Sequence, residues 1–380
     1  MTSADEPIGR RVARWRVRRR MTQQMFADRL GRSKSWVDKT ERGVRPLHRY
    51  PVIREVARVL RVDPLVLLGE HRQAAPGVGP PEGVDGVRAA LARYDDRPAV
   101  VSVVEAGRQV AHAWLTYQHA RYAQVVRLLP GLLSAAQGVR AREPELLVQA
   151  YRITSSVLVK LGEADLGWLA ADRAVAVAGA DPVLAGAAAV SVGQALRALG
   201  RDRLALVATT AAARRVGPAS EPVYGTLLLQ AALAAAGCGE AGRVGELTER
   251  AARLAAGVTG DDPHRTAFGP AAVELTRVVA AGESGDAGEA VSRHEQVVRR
   301  EAWRRLPVEH RAAYLVDAAR AYLHVGDRRG AGRALVEADD LAPAEVRCRP
   351  VGRTVLAEIA RADPAPAGVA RLATLVGLTR

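Results

Sequence analysis

The chain has 380 residues, 48% of them hydrophobic and 4% aromatic, and its 55 Lys plus Arg outnumber 41 Asp plus Glu for a formal charge of +14. That is enough apolar material for two or more domains and too much for a disordered chain. Cys238 and Cys348 are the only cysteines, which excludes a disulfide framework and a Cys-rich metal site and fits a reduced, cytoplasmic setting.

The opening MTSADEPIGRR lacks an apolar signal region, so export is not expected. Residues 1–72 carry eighteen Lys plus Arg against eight Asp plus Glu, a net +10 that leaves +4 for the other 308 residues. Arg-rich usage alone would have spread this excess; its concentration is the footprint of a polyanionic partner. The RVRRR tract ending at Arg20 would suit a membrane surface or a targeting signal only if it stood outside a folded domain.

Residues 21–43, MTQQMFADRLGRSKSWVDKTERG, read as two short amphipathic helices joined by a Gly-centred turn. Thr22 suits an N-cap, and Phe26, Ala27 and Leu30 share one face of the helix that follows. Gly31 ends that helix where a left-handed residue costs least, and Ser33 caps a second helix that buries Val37. Lys34, Ser35, Trp36 and Lys39 are left outward.

These residues resemble the phage-repressor-like (XRE) helix-turn-helix family, with turn glycine, caps, apolar positions and the ERG ending in register. The resemblance implies a five-helix DNA-binding domain from about Ile8 to Gly69. It implies that Lys34, Ser35 and Lys39 reach base edges in the major groove, where Lys donates to guanine O6 and N7 and Ser pairs with several bases. Trp36 stands where the family favours a small polar residue. It either joins the base-reading set, stacking on a thymine methyl or a sugar, or packs on a neighbouring helix. Gln23 would touch the DNA backbone. Arg16 and Glu41 match a pair that joins helices one and three. Arg42, Arg45 and Arg49, in the loop after helix three, suit phosphate contacts that position the domain without reading sequence. Thr40 departs from the large aliphatic usual at its position.

From His71 to Gly86, HRQAAPGVGPPEGVDG has the composition of a hinge or tether between residues 1–70 and 87–380. Beyond it the chain reads as helix throughout, and the fold class is all-α. Pro144, Pro182, Pro222, Pro263, Pro307 and Pro343 recur at steps of 38, 40, 41, 44 and 36 residues, each placed as the start of a helix. Gly162, Gly200, Gly237, Gly282 and Gly326 follow the first five as helix ends. The unit is a helical hairpin. It resembles a tetratricopeptide repeat stretched beyond the usual length of about 34 residues. The clearest copy, residues 311–343, places Ala319, Tyr322, Gly326, Asp327, Ala331, Ala338 and Pro343 on the repeat's preferred positions. Five repeats, an irregular lead-in over 98–137 and a capping pair from about Val351 are expected, stacked as a solenoid with a concave groove. The uncharged run from Pro222 to Gly239 falls within a repeat and holds Tyr224 and Gln230, which argues against a membrane span.

The repeat's groove positions, carried over one at a time, fall on Gln149, Arg152, Ser156 and Lys160, then Gln194 and Arg197, then Tyr224, Thr276, Arg320 and His324. This polar, mildly basic set would suit an acidic peptide or a carboxylate terminus, or would form a merely solvated face. A repressor-like head on such repeats also resembles the peptide-pheromone receptors of Gram-positive bacteria. Those receptors grip peptides with asparagines, and this chain has none. Phosphate-binding, nucleophile-elbow and zinc-protease motifs are absent, His112 and His119 lack a carboxylate at ligand spacing, and Asp261 and Asp262 read as a cap before Pro263. The sequence therefore reads as a non-enzymatic cytoplasmic transcriptional regulator with no cofactor or metal, and no membrane partner. It would bind operator DNA as a homodimer and sense a peptide, small molecule or protein. The alternative is a protein-interaction adaptor whose head binds DNA only weakly.

Overall fold

In the computed structural model the described residues are 7–18, 21–45, 47, 50–60, 67, 83–93, 98–258, 262–361, 365–366 and 368–378. Among them the regular structure is wholly helical. The chain divides into two compact units, Met1–Val78 and Gly79–Arg380.

The first unit contains α1 (Ile8–Arg18), α2 (Gln23–Leu30), α3 (Lys34–Glu41) and α4 (Tyr50–Leu60). The Thr22 hydroxyl accepts from Met25 N at 3.1 Å and the Ser33 hydroxyl accepts from Trp36 N at 3.1 Å, so each helix of the pair has a side-chain cap. Gly31 closes α2 at φ 59°. Phe26, Ala27, Leu30 and Val37 are buried with Val12, Ile53, Val56 and Leu60. The fifth expected helix falls mostly outside the described residues. Leu67 from that stretch is buried, and its carbonyl accepts from Arg11 Nε at 2.8 Å.

Thr40 has a physical reason for being small. A Cβ added to Gly9 would stand 2.2 Å from the Thr40 carbonyl oxygen, so α1 and α3 touch backbone to backbone. A large aliphatic at 40 has little room in such a crossing.

The second unit opens with α5 (Val84–Ala92), which packs on α7. Residues 71–82 of the expected tether lie outside the described residues, and 84–86 already belong to this helix. Six hairpins follow: α6 (Val103–Gln118) with α7 (Tyr122–Val139), α8 (Pro144–Lys160) with α9 (Ala164–Ala178), α10 (Pro182–Ala198) with α11 (Asp202–Val216), α12 (Glu221–Gly237) with α13 (Ala241–Ala255), α14 (Pro270–Ser284) with α15 (Ala287–Val297), and, after the short α16 (Glu301–Arg305), α17 (Val308–His324) with α18 (Arg328–Leu341). The terminal pieces are α19 (Pro343–Arg347), α20 (Pro350–Ala360) and α21 (Val369–Leu375). The expected irregular lead-in over 98–137 is in fact a regular hairpin.

Three expected punctuation marks fall elsewhere. Gly237 and Gly282 are helical, and Gly239 at φ 77° and Gly285 at φ 91° adopt the left-handed turn instead. Gly237 is small for another reason, because a Cβ there would meet the Asp202 carboxyl at 2.6 Å. Pro263 does not start a helix; α14 begins at Pro270, and residues 262–269 form a non-helical strap. The carboxylate of Asp262, read from sequence as a helix cap, instead folds this strap, accepting from Ala267 N at 2.6 Å and Thr266 Oγ1 at 3.1 Å; Asp261 lies outside the described residues.

Helix α12 is buried on almost every side, which explains why it carries no charge after Glu221. Among the described residues no helix is long and apolar enough to cross a membrane. The array also returns on itself. The core built by α5–α8 includes Ala312 of α17 and Ala342, and a Cβ on Gly162 would stand 2.8 Å from Pro350. Helices from the first two hairpins thus pack against the last.

Candidate nucleic-acid interface and the interior of the helical array

The anchor of α3 is a charged network. Arg16 Nε and Nη2 donate to the two Glu41 carboxylate oxygens at 2.6 and 3.0 Å, and Arg16 Nη1 donates to the Met21 carbonyl at 2.7 Å. Gln23 Nε2 donates to Glu41 Oε2 at 2.9 Å. A bidentate guanidinium–carboxylate pair fixes both partners in orientation as well as distance. It ties α1, α2 and α3 together from the side on which Val37, Thr40 and Glu41 are buried. Gln23, expected at the DNA backbone, is half-buried and spends its amide on this network.

The opposite side of α3 is open. Lys34, Ser35 and Lys39 are exposed, as are Arg42 and Arg45 just beyond the helix. Arg42 is within 3.3 Å of Asp38 on an exposed surface, a contact that costs little to exchange for a phosphate. Trp36 is half-buried against the core of the unit, with the Arg32 guanidinium 5.8 Å from its ring centroid. Arg49 lies outside the described residues. Sequence reading missed Gly9, whose small size sets how closely α1 approaches α3; an isolated glycine in a helical pattern was the available signal.

In the array, the expected groove residues do not form one open surface. Gln149 is buried; its Oε1 accepts from Trp114 Nε1 at 2.9 Å and from Arg152 Nη1 at 3.2 Å. Arg152 is only 3% exposed and lies over the Trp114 ring at 5.4 Å. Both reach the strap: Gln149 Nε2 donates to the Pro263 carbonyl at 3.3 Å, and Arg152 Nη1 donates to the His264 carbonyl at 2.6 Å. Burial pulls the Arg152 guanidinium down to about 10, against the upward pull of Asp262 and Glu145. Burial likewise lowers His264, while Glu145 raises it.

Lys160 is taken up by a second buried cluster. Its ammonium bridges Glu309 and Glu345, the latter at 2.7 Å, and the two carboxylates are 3% and 0% exposed. Tyr117 and Tyr122 donate to Glu309 and Glu345 respectively, and Arg349 Nη1 lies 3.1 Å from Glu345. Burial raises the Glu309 carboxyl, but Lys160 and His310 more than offset it and hold it below its ordinary value. Both phenols are pushed well above theirs, by burial first and then by Glu309 and Glu345, so they stay donors. The acids were missed in the sequence although a signal existed: Pro307-Val308-Glu309 and Pro343-Ala344-Glu345 repeat the same Pro-x-Glu pattern.

The remaining groove residues are scattered. Arg197 lies 2.8 Å from Glu283, and Tyr224 is buried beneath the Arg250 guanidinium at 5.2 Å. Thr276 is buried, whereas Ser156 and Gln194 are half-buried. Arg320 and His324 line one shallow depression with Asp317 and Gly282. For Gln149, Arg152 and Lys160 the reason is closure: side chains that would face an open groove in a longer solenoid here meet the strap or the far end of the array.

Residues 7–68 match the family described as a helix-turn-helix domain. No curated protein matches the chain. The crystal structure of Bacillus thuringiensis PlcR in complex with the peptide PapR7 and DNA is similar over 88% of this chain and 94% of that one, at 9% identity and a TM-score of 0.33. The match over 7–68 spans α1–α4 and contains the capped α2–turn–α3 unit, so the chain joins an N-terminal helix-turn-helix domain to a C-terminal array of helical hairpins.

Proposed function

We propose that this chain is a sequence-specific DNA-binding transcriptional regulator of the bacterial cytoplasm. Residues 8–69 read an operator, and the array over 87–380 provides the dimer contact and the ligand-sensing surface. The observation that carries the reading is the two-sidedness of α3. Its inner side is locked by the Arg16–Glu41 pair, and its outer side offers Lys34, Ser35 and Lys39 to solvent. A rigid helix with short-range donors on its open side can read guanine edges, while Arg42 and Arg45 neutralise flanking phosphates.

A single head of this size buries little DNA, so affinity and spacing come from two heads on half-sites about one helical turn apart. Selection of bound duplexes from a random pool tests the reading. The expected product is a G-containing inverted repeat; enrichment of no motif, with binding governed by salt alone, would overturn it.

A further inference from the structure

The strap is held as a ligand would be. It meets α8 through main-chain oxygens, with the Pro263 and His264 carbonyls accepting from Gln149 and Arg152. Its other end is fixed by a single ring: Phe268 is 9% exposed, and a Cβ on Gly225 of α12 would fall 2.1 Å from Phe268 Cζ. Between these points Arg265 and Ala267 both sit at φ 51°, a left-handed conformation that non-glycine residues adopt only when their surroundings impose it.

The receiving side is better equipped than its occupant requires. Arg152 is buried and gives the strap one hydrogen bond, from Nη1 to a neutral carbonyl, with the charges of Asp262 and Glu145 nearby; its Nε has no hydrogen-bond partner among the described residues. The Nη1–Nη2 end of a guanidinium is matched by two anionic oxygens, and such pairs are much stronger than a bond to one amide oxygen. We propose that Trp114, Gln149 and Arg152 form a carboxylate-binding site, that residues 262–268 are its built-in plug, and that a ligand carboxylate takes the place of the His264 carbonyl and releases the strap. This rests on the reading of the array as the ligand-sensing part of the chain. Its test contains no DNA, so failure of operator binding leaves it standing.

The probe is acetyl-Asp-Pro-His with a free C-terminal carboxylate, compared with the same tripeptide as its carboxamide; it copies residues 262–264 and ends where the Arg152 contact lies. Acetate alone serves as a third arm, separating a small carboxylate from a peptide end. Hydrogen exchange of residues 262–268 is followed in the full chain. We expect the carboxylate tripeptide at millimolar concentration to speed that exchange at least tenfold and the carboxamide to leave it unchanged. Gly225→Ala, which displaces the Phe268 ring while placing a better helix former in α12, should release the strap without ligand and tighten carboxylate binding about tenfold. Phe268→Ala should do the same from the other side of the contact. Arg152→Lys, which keeps the charge and loses the fork, should remove the preference for carboxylate over carboxamide. Equal binding of the two tripeptides, no binding by any of the three probes once the strap is released, or a strap still protected in both Gly225→Ala and Phe268→Ala would each overturn the proposal.

Discussion

Lys160 and Glu345 are 185 residues apart in the chain, yet the ammonium and the carboxylate meet at 2.7 Å with the acid fully buried. One lysine at the end of α8 therefore bridges two acids, Glu309 from the sixth hairpin and Glu345 from α19 after it. Removing the shared cation leaves Glu345 to Arg349 and leaves the buried Glu309 without its main counter-charge, which costs far more than losing a surface pair.

Lys160→Met should accordingly lower stability by about 3–5 kcal/mol, read from urea unfolding of the full chain. Adding Glu309→Gln to Lys160→Met should recover most of that loss, since Glu345 keeps Arg349 as its partner and the uncompensated charge on Glu309 is then gone. A loss under about 1 kcal/mol for Lys160→Met would show that the pair behaves as an exposed one.

His294 gives the array a pH dependence. Burial lowers its imidazole to about 4 against an opposing pull from Glu295, and its Nδ1 lies 3.0 Å from the Tyr314 hydroxyl. The unfolded chain takes up the proton near pH 6.5 and the folded one does not, so this contribution is complete above about pH 6.5 and is lost as pH falls toward 4. The shift corresponds to about 3 kcal/mol. His294→Gln should flatten the stability profile between those limits; an unchanged slope would assign the acid sensitivity to other groups.

Thr40 carries a buried hydroxyl with no hydrogen-bond partner among the described residues. Thr40→Val removes that cost without enlarging the side chain where α1 and α3 touch. The head should gain about 1 kcal/mol in thermal or urea unfolding, whereas Thr40→Leu should lose stability through overpacking. A destabilised Thr40→Val would mean that the hydroxyl is satisfied in solution.

The head was legible because its signals are local. Thr22, Gly31 and Ser33 act within one turn of their own positions, so caps and turn could be read directly from spacing. The array was legible only as hairpins. Pro144 and Gly162 bracket a helix within one unit, but the partner of Lys160 lies in the last hairpin, and no periodicity announces where a solenoid returns on itself. The strap escaped notice for a related reason. Pro263 fits the spacing of a helix start, but residues 262–268 are held out of helix by Gln149 and Arg152 of α8 and by the seating of Phe268 against Gly225, contacts that no periodicity announces. Of the groove positions transferred from an open repeat array, Gln149, Arg152 and Lys160 therefore landed where closure buries them.

The most direct measurement is the affinity of the full chain for its selected operator and for a random duplex, at one salt concentration, before and after Lys34→Ala and Arg45→Ala. Lys34→Ala should weaken operator binding by about 1–3 kcal/mol while barely changing random-duplex binding, and Arg45→Ala should weaken both alike. Equal losses on the two duplexes for Lys34→Ala, or no preference for operator in the unaltered protein, would contradict a base-reading role for α3.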